Sequence, residues 1–266
     1  MPTPSFARIA GYFAIVAAMA FGGAFAVAVF VPARVGADVA WFVKCVLVMC
    51  LVTAVTWFYM RHDGVTWKRY GVARGAGIRV IGGLGAGLLL AGAWSSPVYL
   101  VTPFHWSLND GLSWTPFVLG TFASVGMGIA EEVGYRTYGM DCLLSRAGPM
   151  AAVLVPTVIF AGMHIAGGVP WQAGLLVVGS ASVMYGCLML ATRSLPFVAA
   201  FHIANNVGQD AWLRTGTGSL WRPVFESDIP ASSQPTIWTG MMVLNLIVAT
   251  GAWAIWRAAR KQTDNR

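Results

Sequence analysis

Charge is scarce in this chain. Asp, Glu, Lys and Arg make up 10% of its 266 residues, and 57% are hydrophobic. A soluble domain of this size usually carries about 25% charged residues. The shortage argues against a soluble globular protein and for an integral membrane protein. The formal net charge of +7 comes from basic residues clustered in connecting loops. That is the pattern of loops facing anionic headgroups, so no nucleic-acid partner is expected. Cysteine is scarce as well. Cys45, Cys50, Cys142 and Cys187 fall in or beside apolar runs and form no CxxC pair. They read as small hydrophobes, with neither a disulfide framework nor a zinc knuckle. HExxH, GxSG and GxGD are missing, which sets aside the common zinc, serine and aspartyl patterns of intramembrane proteases. No GxGxxG stands between a strand and a helix, and no dinucleotide site is expected. No internal repeat is visible, which disfavours a proton-coupled transporter.

Long apolar runs are present in their place. A helix needs about 20 apolar residues to span the hydrocarbon core. Eight candidates lie near residues 9–31, 37–60, 79–102, 117–144, 149–167, 171–191, 195–213 and 235–257. The expected fold is an all-α polytopic membrane bundle of about eight helices forming one membrane domain, 1–266. The first run is too long for a signal peptide and leads into a second one, so it reads as a retained membrane helix. Pro156 predicts a kink in the fifth helix. Gly83 and Gly87 form a GxxxG pattern that predicts close helix packing. Arg61, Lys68, Arg69, Arg74 and Arg79 follow the second helix, Arg146 the fourth, Arg193 the sixth, and "RAARK" the eighth. These loops share one side, which predicts a multi-pass protein of a bacterial inner (plasma) membrane with both termini cytoplasmic.

Within this apolar background, Glu131 and Glu132 lie near the middle of a span. A charge at the bilayer centre costs about 2.5–3.5 kcal/mol on insertion scales, and such residues face the bundle interior or water. Glu132 and Arg136 stand at i,i+4 and can pair on one helix face. Glu131 points about 100° away and lacks a local partner. Two of the four histidines, His164 and His202, are also inside spans, and Asn206 follows His202 by one turn. Counted from the basic side, Glu131 is about 15 residues above Arg146 and His164 about 15 above Pro149; His202 and Asn206 are about 9 and 13 above Arg193. At 1.5 Å per residue these four fall in one layer, about 13–23 Å deep. His202, Asn206, Gln209 and Asp210 share a face. In this set Glu131 can act as general base on a water with His164 sharing the proton, and His202 with Asn206 can donate to an oxyanion. These are the parts of a hydrolase for an amide or ester bond. Zinc held by Glu131, His164 and His202 is the minority alternative; Asn206 is a poor zinc ligand, and no cofactor is expected.

Three motifs carry a resemblance. "EEVGYR" (131–136) looks like EExxxR, "FAGMH" (160–164) like FxxxH, and "HIANN" (202–206) contains HxxxN, in order on successive helices. The chain resembles the CAAX protease and bacteriocin-processing (CPBP, or Abi) family of intramembrane glutamic endopeptidases, which includes the type II CAAX prenyl endopeptidases. "WKRYGVAR" before the third helix looks like the family's Trp–Gly-containing entry to its core. The resemblance covers about residues 60–213. It implies Glu131 and His164 as water activators, His202 and Asn206 as oxyanion stabilisers, and Glu132 and Arg136 as their supports. Thr137 stands where the family often has Gly. The implied partners are a membrane-associated peptide or protein substrate and the lipid bilayer. The alternative is a non-catalytic bacteriocin-immunity or membrane scaffold protein that binds a partner.

Overall fold

Ser5 begins the first helix by accepting the Arg8 N–H on its hydroxyl at 3.2 Å, an ordinary N-cap. The computed structural model describes residues 4–212 and 218–264. Its helices are α1 (Phe6–Phe30), α2 (Ala37–His62), α3 (Ala76–Ala93), the short α4 (Ser95–Val101), α5 (Trp114–Arg136), α6 (Tyr138–Ala166), the single turn α7 (Trp171–Ala173), α8 (Ser180–Thr192), α9 (Leu195–Trp212) and α10 (Gln234–Asp264). Two short strands, β1 (Phe104–Leu108) and β2 (Trp221–Phe225), pair antiparallel with Phe104 opposite Phe225 and Leu108 opposite Trp221. β2 falls in the polar stretch before α10, and this two-stranded sheet is the one departure from an all-α architecture among the described residues.

Six segments among the described residues are long and apolar enough to cross a membrane. The expected eight are not reproduced as such, for two reasons. The fourth and fifth expected spans lie in one stretch of 53 residues, Trp114–Ala166. α9, polar at His202, Asn205, Asn206 and Gln209, is not among the six. The expected span 117–144 is broken at Thr137, whose φ and ψ of −110° and −112° end α5. The Thr137 hydroxyl closes that last turn by donating to the Val133 carbonyl at 2.5 Å.

A break also falls between the fourth and fifth expected spans. Inside α6 the non-helical angles are at Gly148, with φ 84° and ψ −179°, and Pro156 lies within the helical run that follows. Gly148 has the freedom to take a positive φ, and Pro149 after it starts a new helical run with its ring already set for the helix. A further feature without a sequence signal is the π-helical stretch Gly174–Gly179 leading into α8.

Around α5 the bundle closes. α5 lies between α2 and α9, and α10 packs on α8. α3 and α9 approach closely through Gly83 and Gly87, where an added Cβ would run into the carbonyls of Phe197 and Phe201. The expected GxxxG packing is thus present, with α9 as its partner. α1 lies over the α5–α6 joint: a Cβ on Gly139 would strike the Phe13 and Tyr12 rings, at 2.5 and 2.7 Å.

Candidate active site

Glu131 and Glu132 occupy the penultimate turn of α5, and the two carboxylates diverge as the 100° step requires. Glu131 faces a cleft with its side chain 15% exposed, whereas Glu132 is fully buried. One Glu131 oxygen lies 3.8 Å from His164 Nε2 on α6. The other lies 3.4 Å from His202 Nε2 on α9. A single carboxylate is therefore flanked by two imidazoles from two other helices.

Each imidazole is oriented from behind. His164 Nδ1 donates to the Phe160 carbonyl one turn earlier at 2.9 Å, which leaves Nε2 directed at Glu131. The Phe160 ring lies against the imidazole with centroids 4.4 Å apart. His202 Nδ1 donates to Glu132 Oε1 at 2.8 Å, and Tyr185 of α8 stacks on its ring at 4.3 Å and 20°. A histidine whose rear nitrogen is engaged by a carboxylate has a defined ring position and a defined working nitrogen.

Arg136 completes the layer beneath. Its Nε lies 3.7 Å from Glu132 Oε2, and its Nη2 donates to the Ser182 hydroxyl at 2.9 Å. Its guanidinium sits 5.4–6.0 Å from the ring centroids of Phe160, Tyr135 and Tyr185. Glu132, Arg136 and His202 thus form one buried charged unit, and a unit of this kind is costly to break by removing one partner. The predicted i,i+4 pair exists, but Glu132 has a second bond, to His202, that local spacing did not reveal.

Five of the six expected residues, Glu131, Glu132, Arg136, His164 and His202, are brought together. Asn206 makes no hydrogen bond to them. It sits one turn beyond His202 on α9, half-buried and without a hydrogen bond to any described residue. Its neighbour Asn205 is the buried one, donating to the Tyr185 hydroxyl at 3.3 Å. Gln209 bonds the Asn205 carbonyl at 3.2 Å, and the side chain of Asp210 lies outside the described residues. The depth count for Glu131 fails in detail, because α5 ends at Arg136 and Arg146 belongs to the next helix. Tyr185, Asn205 and Ser182 were missed: an aromatic or small polar residue in an apolar run looks like ordinary core. Among the described residues, no three His, Cys, Asp or Glu side chains are gathered as a metal-binding group.

In front of Glu131 and His164 opens a narrow cavity of about 50 Å³, walled by Val16, Val48, Val52, Met127 and Met163. The carboxylate thus faces apolar walls on one side and the two imidazoles on the other. The arrangement can take a proton at Glu131, pass or share it through His164, and hold a charge beside His202.

Residues 113–208 match the family model described as Rce1-like, type II CAAX prenyl endopeptidase Rce1-like. The match runs from the start of α5 into α9, the helices that carry Glu131, Glu132, Arg136, His164, Tyr185 and His202. No curated protein matches the chain.

Proposed function

We propose that this multi-pass membrane protein is an intramembrane endopeptidase in which Glu131 activates water, a reading supported by the match of residues 113–208 to the Rce1-like, type II CAAX prenyl endopeptidase model. The observation that supports this most is the Glu131 carboxylate set between two imidazole Nε2 atoms, at 3.8 and 3.4 Å. Glu131 removes a proton from a bound water as its oxygen attacks the scissile carbonyl. His164, with Nδ1 engaged by Phe160, accepts or shares that proton through Nε2 and delivers it to the leaving amine. His202 keeps Nδ1 on Glu132 and presents Nε2 to the oxyanion. Asn206 is the second donor in this proposal, turning in from the same face of α9 when substrate fills the cleft.

The substrate in this reading is a membrane-associated peptide or protein, with an apolar side chain in the cavity walled by Val16, Val52 and Met163. The step uses no metal: the base is a side chain of the chain itself, and Asn206 would be a poor third or fourth zinc ligand. The membrane is proposed to be a bacterial inner one, with the basic loops and both termini cytoplasmic. The proximity of Arg8, Asp63 and Tyr138 supports one shared side for the start of α1, the loop after α2 and the α5–α6 joint. The test is cleavage of a substrate identified by comparing membrane proteomes with and without the protein. Glu131→Gln should lower kcat by about 10²–10⁴ with normal insertion, the usual contribution of a general base. Near-wild-type cleavage by that variant would refute the base assignment. Loss of wild-type cleavage on chelation, restored by zinc, would replace it with the metal alternative. A cellular phenotype that survives Glu131→Gln without any cleavage would favour a scaffold.

A further inference from the structure

A second cavity, of about 330 Å³, lies between the turn Trp67–Tyr70, the start of α3 and the end of α8, and shares no lining residue with the cleft at Glu131. Five cations line it: Lys68, Arg69, Arg74, Arg79 and Arg193. No carboxylate does. Arg69 and Arg193 are anchored from behind by Asp141, Arg193 at 3.1 Å. The side chains of Lys68, Arg74 and Arg79 have no ion pair or hydrogen bond with any described residue.

The backbone is shaped around the same space. Gly71 and Gly75 take positive φ values of 75° and 86°. A Cβ on Gly71 would lie 2.7 Å from Arg79 Nη1 and 3.1 Å from the Arg193 carbonyl. The missing side chain is what lets the Arg79 guanidinium lie across the turn. Gly75 caps α3 without a side-chain hydrogen bond, and no acidic residue stands in the first turn. The amide groups of that turn therefore add positive potential at the point where the cations converge. Arg193 itself holds a left-handed conformation, φ 49°, the one non-glycine residue to do so among the described residues.

Loop cations that only face a membrane surface can spread over it. These converge on one concavity from three separate parts of the chain, and two of them are fixed by a buried carboxylate. We propose that this cavity binds a phosphate-bearing anion, either a phospholipid headgroup or a soluble phosphate compound, between Lys68, Arg74 and Arg79 with Arg69 and Arg193 as its fixed wall. A phosphate group brings up to about two negative charges and three acceptor oxygens, which suits several cations at once better than a single carboxylate does. Guanidinium forks match its oxygens in bidentate fashion. The volume is at the lower end of small-ligand sites, about 300–1,000 Å³, and exceeds that of a bare ion. The inference does not depend on proteolysis, since none of these side chains meets Glu131, His164 or His202.

The test uses the full chain purified in an uncharged detergent, at constant ionic strength. Sodium phosphate is titrated in one arm against sodium chloride. Short-chain phosphatidic acid in mixed micelles is titrated in the other against phosphatidylcholine. Binding is read by calorimetry and by the shift of the thermal unfolding midpoint. Saturable binding over the control is expected in at least one arm, with a rise of several degrees. Each of Arg74→Gln and Arg79→Gln should weaken it about tenfold or more, the weight of one charge-assisted hydrogen bond. Both residues are exposed and unpaired, so the unliganded variants should unfold at the wild-type temperature. Arg61→Gln removes the same charge from the same region, where Arg61 lies over Trp57 outside the cavity, and should leave binding unchanged. Binding in the phosphate arm alone identifies a soluble ligand, and tighter binding of phosphatidic acid identifies a lipid. The proposal is overturned if neither arm exceeds its control, or if Arg61→Gln weakens binding as much as Arg79→Gln, which is the behaviour of a diffuse basic surface.

Discussion

Glu132 shows how a residue can be read correctly and still incompletely. Its spacing to Arg136 predicts an ion pair, and the pair exists at 3.7 Å. Its shorter bond, 2.8 Å to His202, crosses 70 residues of chain and cannot be inferred from periodicity. The consequence is functional. Glu132→Gln should lower kcat by at least about tenfold, because a carboxylate behind a working histidine sets its tautomer and charge. KM should change little. A purely structural Glu132 predicts instead a lower unfolding temperature with normal kcat per folded molecule. The two adjacent asparagines divide in the same way. As a proposed oxyanion donor, Asn206→Ala should lower kcat by about 10²–10³. Asn205 is 1% exposed and holds the Tyr185 hydroxyl. Asn205→Ala should act first on stability, by about 1–3 kcal/mol for a buried polar partner left unpaired. Activity per folded molecule and thermal unfolding, measured on both variants, separate the roles.

At the scale of elements, most of the bundle was legible because apolar length is a strong signal. The ends of α1 and α2 fall within a few residues of the expected spans, and α10 starts where expected but extends past residue 257 to Asp264. The break at Thr137 was not legible, because its cause is tertiary. Beyond it, Tyr138 bonds Asp63, and Asp141 reaches Arg69 and Arg193. These partners lie on connections far away in sequence, and an unbroken apolar run conceals them. The π-helical stretch before α8 is hidden for a similar reason: Gly174 packs against the Ile165 side chain of α6. GxxxG in α3 was legible as a packing motif, while its partner was not. That partner is the helix carrying His202. A side chain on Gly87 would collide with the Phe201 carbonyl, immediately before His202, and with Ala204. Gly87→Val should therefore push α9 away from α3 and disturb the His202–Glu131 distance. The expected outcome is a loss of activity larger than the loss of folded protein, checked by cleavage per molecule recovered as a monodisperse peak. Gly85→Val, on the same helix with open space around it, should leave both near wild type.

Across the whole molecule, the flanking helix α1 is part of the working structure although it lies outside the matched segment, residues 113–208. Val16 and Ala20 of α1 line the cavity in front of Glu131. The helix is held there by a polar staple: Arg8 donates to Asp63 at 2.8 Å and to the Tyr138 hydroxyl at 2.9 Å, and that hydroxyl donates to Asp63 at 2.7 Å. The staple ties the start of α1, the end of α2 and the start of α6 into one corner. Its carboxylate also gives the corner a pH signature. Burial alone would raise the Asp63 pKa. Hydrogen bonds from Tyr138 and His62, with Arg8 alongside, outweigh it and hold the carboxyl below its ordinary value. A lowered native pKa stabilises the fold above the ordinary carboxylate range, and that increment is lost as pH falls through the native value. Asp63→Asn should accordingly unfold several degrees below wild type at neutral pH. The gap should persist down to the ordinary carboxylate range and close only below it, as wild type is protonated too. Unfolding midpoints of both proteins in detergent across that range provide the measurement. A gap that is absent at neutral pH, or that closes well above the carboxylate range, would show that α1 is held by its apolar contacts with α2 and α6 and not by the staple.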